Sequence, residues 1–346
     1  MNVTDAQNLA SNALKSWMFG KDELKSVPFV VTGSSGFIGF NVISTLSSLG
    51  FHGIGLDFAF PHAFQKCLNT DHNFKSFTVD LCDRKQVKEV SKKLPKKFIL
   101  IHLASPNTEK TASVNSNNKK RFLGFSSQIK LELDIARNLT SILCEKAIFV
   151  VYGSSIDIFG SRPEIIGNSP INEDTNPLPD SPYGFGKLLS ENMLREELLT
   201  RNIPLSILRL PQIYGDYEFL FYQRAIPIFL NCILDKKPIT IIGKVEETRQ
   251  YLHCNDVLFA FLRSIYFRYN GTLQLSGEAV SLSRVLETLG KISGKINERN
   301  YISDKREAQY KYILSSQRAA EKIGFKQTVS LECGLRSALL VARTAR

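Results

Sequence analysis

The chain has 346 residues, 43% hydrophobic and 22% charged, with 21 Gly and 13 Pro, a globular composition that excludes collagen-like, disordered and disulfide-scaffold classes. Its 44 basic and 33 acidic residues give a net charge of +11 and a sequence pI near 9.3, a balance that suits an anionic ligand. The length suits about two domains, or one large α/β unit with an extension.

Residues 1–26 read as an amphipathic leader helix, with Leu9, Ala13 and Trp17 on one face. Asp5, Asp22 and Glu23 and the lack of an apolar core before a small-residue cleavage site argue against a signal peptide. No run approaches the ~18 apolar residues of a membrane span, since Arg263 interrupts the stretch 257–267. A cytoplasmic protein with no membrane partner is expected. From residue 28 short apolar runs alternate with helical segments. Strands are predicted at Phe29–Thr32, 53–58, 76–79, 98–104 and 147–152, and helices at 36–50, 84–94 and 129–145. That alternation implies right-handed crossovers and a parallel sheet. The stretch 160–182, rich in Pro, Asn, Asp and Ser, reads as a long functional loop.

Basic residues concentrate at Arg84, Lys85, Lys88, Lys92, Lys93, Lys96 and Lys97, and again at Lys119, Lys120 and Arg121. A pI above 9 permits nucleic-acid binding. No aromatic residues alternate with the basic ones, so 84–97 reads as a solvated helix face and nucleic acid is not the expected partner. The six cysteines, Cys67, Cys82, Cys144, Cys232, Cys254 and Cys333, are scattered, with no CxxC pair and no Cys/His cluster at metal spacing. Reduced, mostly buried thiols and no metal are expected.

The first strand runs into Gly33-Ser34-Ser35-Gly36-Phe37-Ile38-Gly39, a GxxGxxG turn that opens a helix. Glycines permit the tight turn and a close approach of the backbone to a pyrophosphate, while the helix N-terminus offers N–H groups to its charge. Asp57 ends the second strand, 18 residues after Gly39. A carboxylate there accepts from ribose hydroxyls and repels a 2′-phosphate, which favours NAD over NADP. Candidate cofactor contacts are Gly33, Ser35, Gly36, Phe37, Ile38, Gly39 and Asp57, with Asp80 and Leu81 after the third strand and Leu103 and Ala104 after the fourth. His102 reads as a satisfied core histidine.

Ser181-Pro182-Tyr183-Gly184-Phe185-Gly186-Lys187 opens a further helix running to about residue 200. Tyr183 and Lys187, at i and i+4, share a helical face. An ammonium one turn from a phenol favours the phenolate and moves its pKa toward the operating range. The serine pair Ser154-Ser155 stands at the end of the fifth strand, on the edge where ligands gather in open α/β sheets.

In order, VTGSSGFIG, GLD, VDL, HLAS, YGSSIDIFG, PYGFGK, LRLPQIYG and TRQYLHCNDV resemble the extended short-chain dehydrogenases/reductases of the NAD-dependent epimerase/dehydratase family, whose members mostly process nucleotide sugars. The resemblance runs from about residue 27 to 340 and implies a Rossmann-type doubly wound sheet with a smaller, interleaved substrate-binding domain. On this reading 1–26 is an extension, 27–210 the NAD-binding and catalytic part, and 211–346 mainly the substrate domain. By position it makes Tyr183 the acid/base, Lys187 its activator and ribose anchor, and Ser155 the hydroxyl that orients the sugar oxygen. It places Ser105 and Gln212 near the substrate and Arg249 and Arg306 at the diphosphate, which guanidinium forks bind bidentately. Tyr251, His253 and Asp256 complete the Arg249 motif as support. The resemblance further implies a homodimer through helices 126–145 and 182–200.

Three positions depart from the family pattern. Ile156 and Asp157 stand where 4,6-dehydratases carry an Asp-Glu pair, which argues against a dTDP-glucose-type dehydratase, although Asp157 keeps elimination chemistry open. Gln212 replaces an Asn near the nucleotide, and Glu132 replaces an active-site Asn on the fourth helix. The leading expectation is a nucleotide-sugar 4-epimerase that oxidises C4 to a 4-keto intermediate and re-reduces it. The alternatives are a 4-keto-sugar reductase or dehydrogenase, a dehydratase or decarboxylase, and, from another class, a non-catalytic RNA- or NAD-binding member of the same fold.

Overall fold

The computed structural model describes residues 16–17, 22–60, 73–106, 124–160, 170–221, 224–242, 245–246, 248–294, 299–302 and 313–344. The elements, in chain order, are β1 (Phe29–Thr32), α1 (Phe37–Ser48), β2 (Gly53–Asp57), β3 (Phe74–Thr78), α2 (Arg84–Ser91), β4 (Phe98–His102), α3 (Phe125–Asn138), β5 (Ala147–Ser155), α4 (Pro182–Leu199) and β6 (Leu205–Leu210). There follow β7 (Gln212–Tyr214), α5 (Ala225–Asp235), β8 (Ile239–Ile242), β9 (Thr248–His253), α6 (Cys254–Tyr266), β10 (Gly271–Gln274), β11 (Glu278–Ser281), α7 (Leu282–Ser293), β12 (Arg299–Ile302), α8 (Gln317–Ile323) and α9 (Leu331–Thr344).

Seven strands form one parallel sheet in the order β10-β6-β5-β4-β1-β2-β3. The strands FVVT, FILIH and LSILRL are buried along their whole length, as a sheet covered on both faces requires. Side-chain alternation divides them between two cores. Phe29, Val31, Ile99, Ile101, Phe149 and Val151 pack with α1 and α6, while Val30, Leu100, Val150, Tyr152 and Ile207 pack with α3 and α4. The order reverses between β1 and β4, which opens a crevice at their C-terminal ends. A third core joins α5, α7 and α9 to a small sheet of β11, β9 and β7.

The predicted elements are present with shifted ends. Pairing with β2 sets β3 at Phe74–Thr78 rather than 76–79, and pairing with β6 carries β5 on to Ser155. The helix expected at 129–145 begins at Phe125 and ends at Asn138. One π turn (Leu139–Leu143) and one 3₁₀ turn (Cys144–Lys146) follow it. The switch coincides with Asn138, whose amide donates to the carbonyls of Leu81 at 2.9 Å and Cys82 at 3.1 Å. On α2, Asp83 caps the N-terminus and Val87 and Val90 face the core, which leaves the 84–97 lysines in solvent. Lys119, Lys120 and Arg121 lie outside the described residues.

Most of the expected leader helix lies outside the described residues, and Asp22–Ser26 is a 3₁₀ turn rather than helix. Trp17 packs edge-on against Phe259 and Tyr266 of α6, at 5.4 and 5.5 Å. Two of the five described cysteines, Cys144 and Cys254, are buried; Cys82, Cys232 and Cys333 are part-exposed, which corrects the expectation of mostly buried thiols. None of the five is in a disulfide, and Cys67 lies outside the described residues. No helix among the described residues is long and apolar enough to cross a membrane.

The segment after β7 clamps the start of α1. Asn41 donates to the carbonyls of Phe37 (2.9 Å) and Asp216 (3.0 Å), and Tyr217 meets Phe40 edge-on at 5.0 Å. Burial there raises the Glu218 carboxyl from 4.5 to about 8. Between those values the folded chain keeps a proton that the unfolded chain has released, so this contribution to stability is full below about 4.5 and is lost as pH rises toward 8. Glu218→Gln is expected to flatten the fall in urea midpoint between pH 5 and pH 8; a slope equal to the parent's would contradict this account.

Candidate functional site

The glycine turn sits at the C-terminal end of β1. Gly33 has φ +69°, and a Cβ there would lie 2.6 Å from the Ala104 nitrogen, so the turn fits against the β4 loop only without a side chain. The helix α1 that follows has Gly36 as its N-cap, no side-chain cap and no acidic residue in its first turn, which leaves its positive end available to an anion. Asp57 holds the rim of this cradle. Its carboxylate accepts from the Ser35 N–H at 2.8 Å and the Phe58 N–H at 2.7 Å, and the Ser35 hydroxyl donates to the Ala59 carbonyl at 2.5 Å. An uncapped helix start behind a glycine turn, with a carboxylate on the next strand end, fits a dinucleotide.

The other candidate cofactor residues are distributed around this cradle. Phe37 is buried in the first core, and Ile38 and Gly39 continue the helix. Asp80 closes a turn by accepting from the Cys82 N–H at 2.9 Å, and the Leu81 side chain is buried in the second core. The Leu103 N–H donates to the Thr32 carbonyl at 3.1 Å, which brings Leu103, Ala104 and Ser105 alongside the glycine turn. His102 is a core residue. It bonds the Thr32 hydroxyl at 2.7 Å and stacks on Tyr152, and burial lowers its pKa to about 3.

Ser155 and the start of α4 meet at the end of β5. Ser181 caps α4, accepting from the Gly184 N–H at 3.1 Å, with Pro182 in the first turn. The Lys187 ammonium is buried, 5.6 Å from the centre of the half-buried Tyr183 ring and 5.0 Å from that of Tyr152, and donates to the Gly153 carbonyl at 3.4 Å. The Ser155 hydroxyl donates to Asp157 at 2.8 Å. Burial lowers the Lys187 pKa, and the Glu132 and Glu191 carboxylates oppose that effect. Burial raises Glu132, opposed by Lys187 and by the hydrogen bond from Ser105.

Sequence reasoning missed the charges beneath this pair. Glu191 binds Arg209 through two hydrogen bonds of 3.1 and 2.9 Å and accepts from the Ser154 hydroxyl at 2.5 Å. Both signals were present, since Glu191 follows Lys187 by one more helical turn and Arg209 is a lone charge in the apolar run LSILRL. Of the candidate substrate residues, Gln212 and Arg249 lie on the neighbouring strands β7 and β9, both half-buried. Arg306 lies outside the described residues. Tyr251, His253 and Asp256 are buried, and Asp256 accepts from the Thr328 N–H (2.9 Å), its hydroxyl (2.6 Å) and the Val329 N–H (3.1 Å). Among the described residues no group of three or more His, Cys, Asp or Glu side chains is placed to hold a metal ion.

The family model for the NAD-dependent epimerase/dehydratase family matches residues 29–271. The chain belongs to that family. It is an enzyme with the family's cofactor, NAD, and its relatives are nucleotide-sugar epimerases, dehydratases and reductases. It is 28% identical over 319 residues to dTDP-4-dehydro-6-deoxyglucose reductase of Escherichia coli, across 88% of this chain and 94% of that protein. It is 22% identical to a putative UDP-glucose 4-epimerase of Methanocaldococcus jannaschii, across 89% and 95%. In fold it resembles UDP-glucuronic acid 4-epimerase of Bacillus cereus, solved with UDP-glucuronic acid and NAD (TM-score 0.75, 21% identity, 92% of this chain and 100% of that one). UDP-glucose 4-epimerase of Thermotoga maritima is similar at TM-score 0.75, with 23% identity over 92% and 99% of the two chains.

Arg209→Met leaves the Glu191 carboxylate buried without its partner and is expected to cost about 3–5 kcal/mol in urea unfolding at pH 7, while Glu191→Leu with Arg209→Met recovers most of that loss. A single substitution as mild as the double one would show that the pair carries no such constraint.

Proposed function

We propose that this enzyme transfers a hydride at C4 of a nucleotide-diphosphate-linked hexose, with C4 epimerisation through a 4-keto intermediate as the net reaction. The observation that carries the reading is the buried Lys187 ammonium beside the Tyr183 ring at the mouth of the glycine-turn crevice. Bound NAD supplies the acceptor and donor of the hydride. Tyr183, as phenolate, takes the C4 hydroxyl proton as hydride leaves that carbon and returns it on re-reduction. Lys187 holds the phenolate form within reach of neutral pH, and Ser155, itself oriented by Asp157, aligns the sugar oxygen. Arg249 and Arg306 would bind the diphosphate, with Gln212 near the nucleotide. Asp57 favours NAD over NADP by repelling a 2′-phosphate. Ile156, in place of the first dehydratase acid, weighs against 4,6-elimination.

A second reading, one-way reduction of a 4-keto-6-deoxy sugar by the same residues, is favoured by the higher identity to the E. coli reductase, 28% against 22% for the M. jannaschii putative epimerase. The two differ in how the cofactor is held. Near-stoichiometric NAD released on denaturing fresh protein, with interconversion of UDP-glucose and UDP-galactose, supports the epimerase. An empty site, with NADH consumed on adding dTDP-4-dehydro-6-deoxyglucose, supports the reductase. Under either reading Tyr183→Phe should lower turnover by ~10²–10⁴-fold and leave NAD binding intact; unchanged turnover would overturn the assignment.

We further propose a homodimer. Phe125, Ile129 and Leu133 of α3 and Phe185 and Leu189 of α4 form an apolar face exposed to solvent in part, with Phe125 and Phe185 in edge contact at 5.4 Å. Leu133→Asp is expected to convert a dimer to monomer in sedimentation velocity; a parent chain that already sediments as monomer would refute the dimer. A cytoplasmic location fits five described cysteines that form no disulfide.

A further inference from the structure

Four charged side chains lie buried together beneath Tyr183: Lys187 and Glu191 on α4, Arg209 on β6 and Glu132 on α3. Arg209 donates from Nε and Nη2 to Glu191, whose carboxylate also takes the Ser154 hydroxyl, and from Nη1 to the Glu173 carbonyl. The Lys187 ammonium therefore shares Glu191 with a guanidinium that already neutralises it. An uncompensated ammonium in this interior would shed its proton. The quartet is neutral only when Glu132 is counted against Lys187.

The packing brings Glu132 to that place. Its side chain lies against Gly186, the residue next to Lys187; a Cβ on Gly186 would stand 2.8 Å from the Glu132 Cγ and 3.2 Å from its Cβ. Ser105, three residues after β4, donates its hydroxyl to the Glu132 carboxylate. The glycine thus makes room for a carboxylate, and the serine fixes the direction in which it points. The remaining titratable groups that act on this cluster are Tyr183 on α4, Tyr152 on β5, His102 on β4, and Cys82 with its neighbours Asp80 and Asp134. None of them is a cation at neutral pH, because burial holds His102 unprotonated.

We propose that Glu132 is the counter-ion of Lys187 and, through Lys187 and Ser105, a positioning residue for the reaction at Tyr183. This rests on the reading of Tyr183 and Lys187 as the catalytic pair. Glu132 stands where the family resemblance places a neutral Asn. A carboxylate there holds the ammonium protonated to higher pH than an amide would, and ties the β4 loop to the catalytic helix through one side chain. Neither effect needs Glu132 to touch the sugar.

The test follows the Lys187 side-chain nitrogen by NMR in NAD-loaded protein labelled with ¹⁵N-lysine, the resonance being assigned with Lys187→Arg. Glu132→Gln should lower the Lys187 titration midpoint by about one to two pH units, since an opposite charge acting on it within the same buried cluster has been removed. Glu132→Asp should restore part of the shift. Gly186→Ala should displace the carboxylate and shift the midpoint in the same direction, with no further effect in the Glu132→Gln background. A purely structural role for Glu132 would not move this midpoint. If Glu132→Gln does not fold, Glu132→Asp and Gly186→Ala carry the measurement, because both retain the carboxylate.

A Lys187 midpoint unchanged in folded variants overturns the counter-ion. Turnover of dTDP-4-dehydro-6-deoxyglucose with NADH, or of UDP-glucose, measured in Tyr183→Phe separates the two assignments. Loss of turnover there with an unmoved midpoint in Glu132→Gln refutes Glu132 alone. Full turnover in Tyr183→Phe refutes the catalytic pair and, with it, the positioning role.

Discussion

In a parallel sheet with helices on both faces, apolar side chains wrap every strand, and polar chemistry has room only where strands stop. This constraint gathers the glycine turn, Asp57, the 103–105 loop, Ser155 and the first turn of α4 along one edge. The strand order reverses between β1 and β4, so neighbouring connections leave to opposite faces and a crevice opens between them. The dinucleotide cradle and the tyrosine–lysine pair adjoin because the same geometry produces both.

The cost of the arrangement falls on the layer below. Lys187 approaches Tyr183 from the protein side, so its charge has to be accommodated away from water. The fold does so with a compact set of opposed charges spanning α3, α4 and β6, closed by the Ser154 and Ser105 hydroxyls. Charges fixed in advance reorganise little when a proton moves, which suits the phenolate chemistry proposed for Tyr183. The Glu191–Arg209 pair serves the same end from the opposite side, by leaving no other unbalanced charge near the lysine.

What was legible in the sequence follows from how local each feature is. The apolar runs of β1 and β4 and the glycine turn between β1 and α1 depend on neighbours a few residues away, and they read directly. The Tyr183, Lys187 and Glu191 series shares one helical face and was open to the same reasoning, although only its first two members were read. The family resemblance put Glu132 in the active site, but its place in the same buried cluster as Lys187 was not legible from spacing. It depends on where α3 starts, on its contact with α4, and on a glycine whose use is visible only once two helices touch. The ends of β3 and β5 were set by register with their neighbours, which propensity does not encode.

The last strand of the large sheet comes late. β10 begins at Gly271, after β7, β8 and β9, which belong to two other sheets, and it covers the edge of β6, which ends at Leu210. Ile171 likewise finds its bridge partner only at Leu314. During synthesis the first 210 residues therefore leave the ribosome with an apolar strand, LSILRL, bare along one side, and that side stays bare until β10 has emerged. A chain interrupted near residue 210 would be a sticky intermediate rather than a smaller domain, so the two halves are bound to one another by order of birth as well as by contact.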